Sequence, residues 1–109
     1  MLGEFEYLLI TIAAGLGDNA RGASIREELA EVTGRRCSLG ALYTTIDRLE
    51  TKGLIETWIS DATPQRGGRA KCMVRVTLKG IHAAKDFYDA VSRVTRSASW
   101  AMNKTGSMS

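Results

Sequence analysis

Apolar positions along the chain fall into four runs with helical spacing and one interval of β-type residues. Phe5, Leu8, Leu9, Ile12, Ala13 and Leu16 predict a first helix from about residue 3 to 16, and Tyr7, Ile10 and Ala14 widen its apolar side beyond what one neighbour covers. That excess predicts a contact with another subunit. Gly15, Gly17, Asp18, Asn19 and Gly22 form a turn cluster, and Ser24 with Glu27 three residues on has the spacing of a capping box. A second helix is expected from there, with Ile25, Leu29 and Val32 buried and Gly34 at its end.

The stretch from residue 38 to 52 predicts a third helix with two unlike faces. Leu42, Ile46 and Leu49 recur as a core stripe, while Ala41, Thr44, Thr45, Arg48 and Lys52 make a small, polar and basic face suited to a nucleic-acid groove. Ser38 is placed to cap its amino end, Cys37 to pack on Leu42 as a staple, and Gly53 to end it in the left-handed conformation.

Residues 54 to 59 are β-prone through Ile55, Thr57, Trp58 and Ile59, and residues 71 to 77 supply a returning strand. Between them, Pro64 and Gly67-Gly68 let the chain reverse, and the two glycines remove side-chain bulk where backbone approaches a phosphate or a groove wall. A last helix is expected from Leu78 to about Asn103, capped by Thr77. Its stripe of Ile81, Ala84, Tyr88, Val91, Ala98 and Met102, widened by Phe87, Val94 and Ala101, is more than a three-helix domain covers, which points to a two-fold dimer.

The fold class is therefore mainly α with a small β-hairpin. A winged helix-turn-helix domain spans residues 1–77 with its wing at about 54–77, a dimerisation helix spans 78–103, and residues 104–109 read as a disordered tail.

At 109 residues the chain suffices for one domain with a modest core. The net charge of +3 is unevenly spread: residues 1 to 20 carry Glu4, Glu6 and Asp18 without a base, whereas residues 62 to 80 carry Arg66, Arg69, Lys71, Arg75 and Lys79 without an acid. A local positive patch of that kind suits phosphate binding. Cys37 and Cys72 stand far apart, with no second ligand type beside them, and read as reduced thiols in a cytoplasm. Cys37, near Arg35 and Arg36 at a helix amino end, is also a candidate redox thiol, with the staple role preferred. No signal peptide or membrane-length apolar run is evident, so a cytoplasmic location without membrane association is expected.

The order Gly40-Ala41-Leu42-Tyr43-Thr44-Thr45-Ile46-Asp47-Arg48-Leu49-Glu50, Lys52-Gly53-Leu54-Ile55, Arg66-Gly67-Gly68-Arg69 and Val74-Arg75-Val76-Thr77 resembles the PadR family of bacterial transcriptional regulators, over roughly residues 3 to 95. Its returning strand carries Met73 and Val74 where the family usually has two aromatics.

The resemblance implies a dimeric DNA-binding repressor of double-stranded DNA. Ala41, Thr44, Thr45 and Arg48 would face base edges, while Arg35, Arg36, Ser38, Tyr43, Arg66, Arg69 and Lys71 hold phosphates beside Gly67 and Gly68. The tyrosine of the Leu-Tyr motif reaches a phosphate in the family, and Tyr43 lies off the core stripe, leaving its hydroxyl free for that role. The dimer interface would use the first and last helices through Phe5, Leu9, Ile81, Tyr88, Val91, Val94, Ala98, Trp100 and Met102.

On a continuous helix Trp100 falls opposite the stripe, among Arg93, Arg96, Ser97 and Lys104. Covering the partner subunit is preferred for it over lining a pocket for a small-molecule effector in the dimer interface or stacking on one. The multidrug-binding branch of the family sets a ligand-stacking tryptophan before Ser-Arg-Val; here Val91 precedes Ser92-Arg93-Val94, which argues against flat-drug binding. His82, the only histidine, has no catalytic partners in pattern. Nothing in the sequence sets up an enzyme, a metal site or a cofactor site. The competing reading is a winged-helix protein-interaction module without DNA binding, against which the basic wing and the small polar helix face argue.

Overall fold

The computed structural model describes residues 1–60 and 71–100. In chain order these form α1 (Glu4–Leu16), a 3-10 turn (Gly17–Asn19), α2 (Gly22–Thr33), α3 (Leu39–Thr51), β1 (Ile55–Ile59), β2 (Cys72–Val76) and α4 (Leu78–Arg96). The hairpin is antiparallel, running in register from Ile55 opposite Val76 to Ile59 opposite Cys72. The expected tip of the wing, with Arg66, Gly67, Gly68 and Arg69, lies outside the described residues, as do Met102 and the C-terminal tail.

The core gathers Leu9, Ile10 and Ala13 of α1, Ile25 and Leu29 of α2, Leu42, Ile46 and Leu49 of α3, and Leu54, Ile55 and Val74 from the hairpin. α1 is its centre, packing on α2, α4 and β2. That accounts for its broad apolar side within the chain: Ile10 is fully buried, and Tyr7 stacks on Phe87 of α4 with ring centroids 4.8 Å apart. Leu9, expected at the dimer interface, is 0% exposed and belongs to this core instead.

Helix ends show which local signals held. Ser38 Oγ accepts the Ala41 N–H at 3.0 Å and Thr77 Oγ1 accepts the Gly80 N–H at 3.0 Å, while Gly34 and Gly53 both take φ of +77° where α2 and α3 stop. α2 begins earlier than Ser24. The Ala20 carbonyl accepts from Val74 N–H, and Arg21 bridges to Met73, so the hairpin fixes the chain just before the helix. Arg21 becomes the N-cap, and Ser24, three residues in, accepts the Arg21 N–H at 3.0 Å. Val32 shares the side of Ile25 and Leu29 by spacing, but it sits in the last turn of α2, where Glu31, Val32 and Thr33 are all exposed, and is itself 65% exposed.

α4 ends at Arg96, short of the expected Asn103. The Ser97 hydroxyl and N–H both donate to the Val94 carbonyl, a local bond that competes with helical continuation. Trp100 lies beyond this break, so its projected place opposite the stripe does not apply; it is largely exposed. Among the described residues no helix is long and apolar enough to cross a membrane.

One corner holds the hairpin to both flanking helices. Thr77 Oγ1 donates to the Gly53 carbonyl, Thr77 N–H to the Leu54 carbonyl, and Lys79 Nζ to the Lys52 carbonyl. Gly80 rests so close to the Leu54 carbonyl that any Cβ there would overlap it.

Candidate nucleic-acid interface

α3 carries the candidate site, and its orientation follows from the core. Leu42, Thr45, Ile46 and Leu49 are spaced three and four apart and all face inward. Thr45, expected to face base edges, is therefore covered at 6% exposure: it sits one turn from Leu42 and Leu49 on the buried side. Ala41, Thr44 and Arg48 are exposed, as expected. Gly40, Thr44, Asp47 and Thr51, spaced four, three and four, run down the middle of the exposed side, with Ala41 and Arg48 on one flank and Tyr43 and Glu50 on the other.

Residues before α3 frame its amino end. Arg35 and Arg36 are exposed in the link from α2, which Arg26 fixes by donating from Nε to the Cys37 carbonyl at 2.8 Å. Cys37 is half-buried in a crevice lined by Phe5, Leu8 and Leu29. Tyr43 is partly exposed, and its ring edge and hydroxyl lie over Gly22 in the first turn of α2, where a Cβ would overlap them. Gly22 is thus the cradle for the ring, and the phenol meets solvent beside the amino end of α2. Any phosphate it contacts would also meet the partial positive charge of that helix end.

Lys52 is drawn away from the groove face. Its ammonium pairs with Glu6 of α1 at 3.0 Å, and the other Glu6 oxygen accepts the Gly3 N–H at 2.9 Å. Burial pushes the Glu6 carboxyl up, but Gly3, Lys52 and Arg48 more than offset it and hold the group below its usual value. The hairpin side nearest α3 is tied to it as well, since Thr57 donates to Glu50 at 2.7 Å. On the hairpin's other side Arg75 pairs with Glu56 at 2.8 Å and lies 5.5 Å from the Trp58 ring centroid. Lys71 is exposed at the start of the returning strand.

Burial pushes the Cys72 thiol up, and Glu50 and Asp47 add to the effect, so it stays protonated. Both cysteines are free, and among the described residues no three His, Cys, Asp or Glu side chains gather as a metal site.

The residues expected at the dimer interface divide. Ile81, Tyr88, Val91 and Val94 lie exposed on α4, Phe5 is half-buried on α1, and Ala98, half-buried, and Trp100, exposed, both lie past the end of α4.

Five exposed residues of α3, Leu39, Gly40, Asp47, Glu50 and Thr51, lie outside the face expected from the sequence. Of these, Asp47 is an acid in a face expected to be basic, and Leu39 is an apolar residue outside the Leu42, Ile46, Leu49 stripe. Spacing from Gly40 and Thr44 alone would have found Asp47.

The sequence matches no protein-family model, and no curated protein aligns with it significantly. Solved structures do match. RosR of H. salinarum is 25% identical over 98% of this chain and 89% of its own, with a TM-score of 0.64. A PadR family transcription regulator from Clostridium difficile is 25% identical over 94% of this chain and 98% of its own, with a TM-score of 0.59. A PadR-like transcription factor from Bacteroides fragilis superposes with a TM-score of 0.71 over 84% of each chain, at 17% identity.

Proposed function

We propose that this chain, PadR-like in its motif order and in its fold, is a DNA-binding transcription regulator that works as a symmetric dimer and represses by occupying a pseudo-palindromic operator. The observation that carries the reading is the division of α3: Leu42, Thr45, Ile46 and Leu49 turn inward, and Ala41, Thr44 and Arg48 turn out. A helix with short side chains over a central strip and a guanidinium on its flank fits a major groove, where Arg48 can take guanine O6 and N7.

Ser38, Tyr43, Arg35, Arg36 and Lys71 surround that face and suit phosphates, which set register without reading sequence. Arg66, Gly67, Gly68 and Arg69 complete this set as the wing on the flanking backbone. Residues 1–77 would form the reading domain and 78–103 the pairing segment, with any small-molecule effector held between paired α4 helices. Two reading helices related by a dyad imply half-sites about one helical turn apart, roughly 34 Å.

The test is selection of bound fragments from the host genome at near-physiological salt, followed by titration of the selected duplex against a random one and by sedimentation of the protein alone. A selected duplex bound at least about 10³-fold more tightly than the random one, by a dimer, is expected. Equal binding of both duplexes would overturn the reading and leave the protein-interaction module in its place. Repression itself is checked by whether added protein lowers transcription from the selected promoter in a purified system.

A further inference from the structure

Asp47 occupies the middle of the exposed side of α3, in line with Gly40, Thr44 and Thr51. Acids around it have structural duties: Glu50 accepts from the Thr57 hydroxyl, Glu6 pairs with Lys52 and Glu56 with Arg75. Among the described residues the Asp47 carboxylate takes part in no side-chain hydrogen bond or ion pair. It therefore stands in the face that the proposed function presses against a polyanion, with no bonding partner among the described residues that would account for it there.

We infer that Asp47 is a specificity-determining residue that selects a cytosine in each half-site; the inference rests on the DNA-reading role proposed above for α3. An ionised carboxylate only accepts hydrogen bonds. In the major groove guanine offers O6 and N7, thymine offers O4 and a methyl group, and adenine sets the N7 acceptor beside its amino group. Cytosine alone presents an amino donor, N4, without a neighbouring acceptor on the same base. Over guanine or thymine the charge meets only acceptors or a methyl group, and over adenine the N7 lone pair opposes what the amino group offers, so the residue works mainly by excluding wrong sites. Arg48, next along the chain and turned about 100° around the helix, demands guanine by the opposite chemistry, and together they make the reading face discriminate both partners of G·C pairs.

The experiment selects duplexes from a randomised pool with the wild-type protein, Asp47→Asn and Asp47→Ala, then measures affinities on the wild-type duplex and on one in which the selected cytosine is replaced by 2-pyrimidinone, which lacks N4. The wild type should select a cytosine and lose about tenfold in affinity on the 2-pyrimidinone duplex. Asp47→Ala should lose the preference, respond to neither base, and bind random DNA more tightly. Asp47→Asn should move the preference to adenine, which an amide contacts at N6 and N7. Circular dichroism verifies that both variants keep the helical fold, as expected for an exposed helix position. If all three proteins select the same base at every position, Asp47 is only a solvated charge and the inference falls while the DNA-reading function stands. If the wild type selects no sequence, both fall together.

Discussion

α3 and α4 are both amphipathic helices, yet they end up in opposite conditions. α3 completes its apolar side inside the chain, burying Leu42, Ile46 and Leu49, and shows solvent mostly small and polar groups. α4 buries only Gly80 fully and leaves Tyr88 at 58% and Val94 at 71% exposure. Ala83, Ala84 and Phe87 meet the core, while Tyr88, Val91 and Val94 stay exposed among the described residues. The contrast separates two kinds of surface: the middle of the exposed side of α3 presents small and polar groups, whereas α4 leaves the large apolar side chains of Tyr88, Val91 and Val94 exposed. Nucleic acid suits the first and a second protein surface suits the second.

The contrast can be broken most directly by stability. Ile46→Ala should cost roughly 2–5 kcal/mol in urea unfolding, whereas Val94→Ala should change monomer stability by less than about 0.5 kcal/mol. Comparable losses at both sites would mean that α4 is covered within the chain after all. The next largest effect concerns pairing: the double change Val91→Glu and Val94→Glu should raise the dimer dissociation constant by at least about tenfold in sedimentation while leaving the helical signal intact.

Within the reading surface, Arg48→Ala should lose about 1–3 kcal/mol of discrimination between selected and mismatched duplexes. Lys71→Ala should instead weaken all duplexes alike and reduce the salt slope by about one. Equal behaviour of the two variants would erase the distinction between reading and holding.

The smallest effect belongs to Glu6. Its carboxyl lies below its ordinary value of 4.5 in the folded chain, so it adds stability that is present above that value and lost as pH falls through the folded one. Glu6→Gln should flatten the fall in urea midpoint between neutral pH and about pH 3. An unchanged slope would show that the pair with Lys52 contributes nothing.

Much of α3 was legible because its signals are local. Ser38, the Leu42, Ile46, Leu49 spacing and Gly53 each act within a turn of the residues they govern. Thr45 was misjudged because a polar type was allowed to outweigh its position, although 42, 45, 46 and 49 are one helical stripe. The start of α2 could not be read locally: the bonds from Val74 to Ala20 and between Met73 and Arg21 come from residues some fifty positions away. The same holds for Leu9, whose apolar type suits a core or an interface equally until its neighbours are known. That Gly22 lies beneath the Tyr43 ring is likewise invisible within α3 itself.

The corner where Thr77, Lys79 and Gly80 grip the carbonyls of residues 52 to 54 turns the molecule into a caliper. Main-chain carbonyls at the end of one arm are gripped by the N–H and hydroxyl of Thr77 and by the ammonium of Lys79 at the root of the other, so the angle between the arms rests on main-chain and side-chain bonds together. In a paired assembly the gap between the two tips would be inherited from this elbow. A duplex with its half-sites one base pair too far apart would then have to twist to fit, because the protein has no hinge at that point with which to follow.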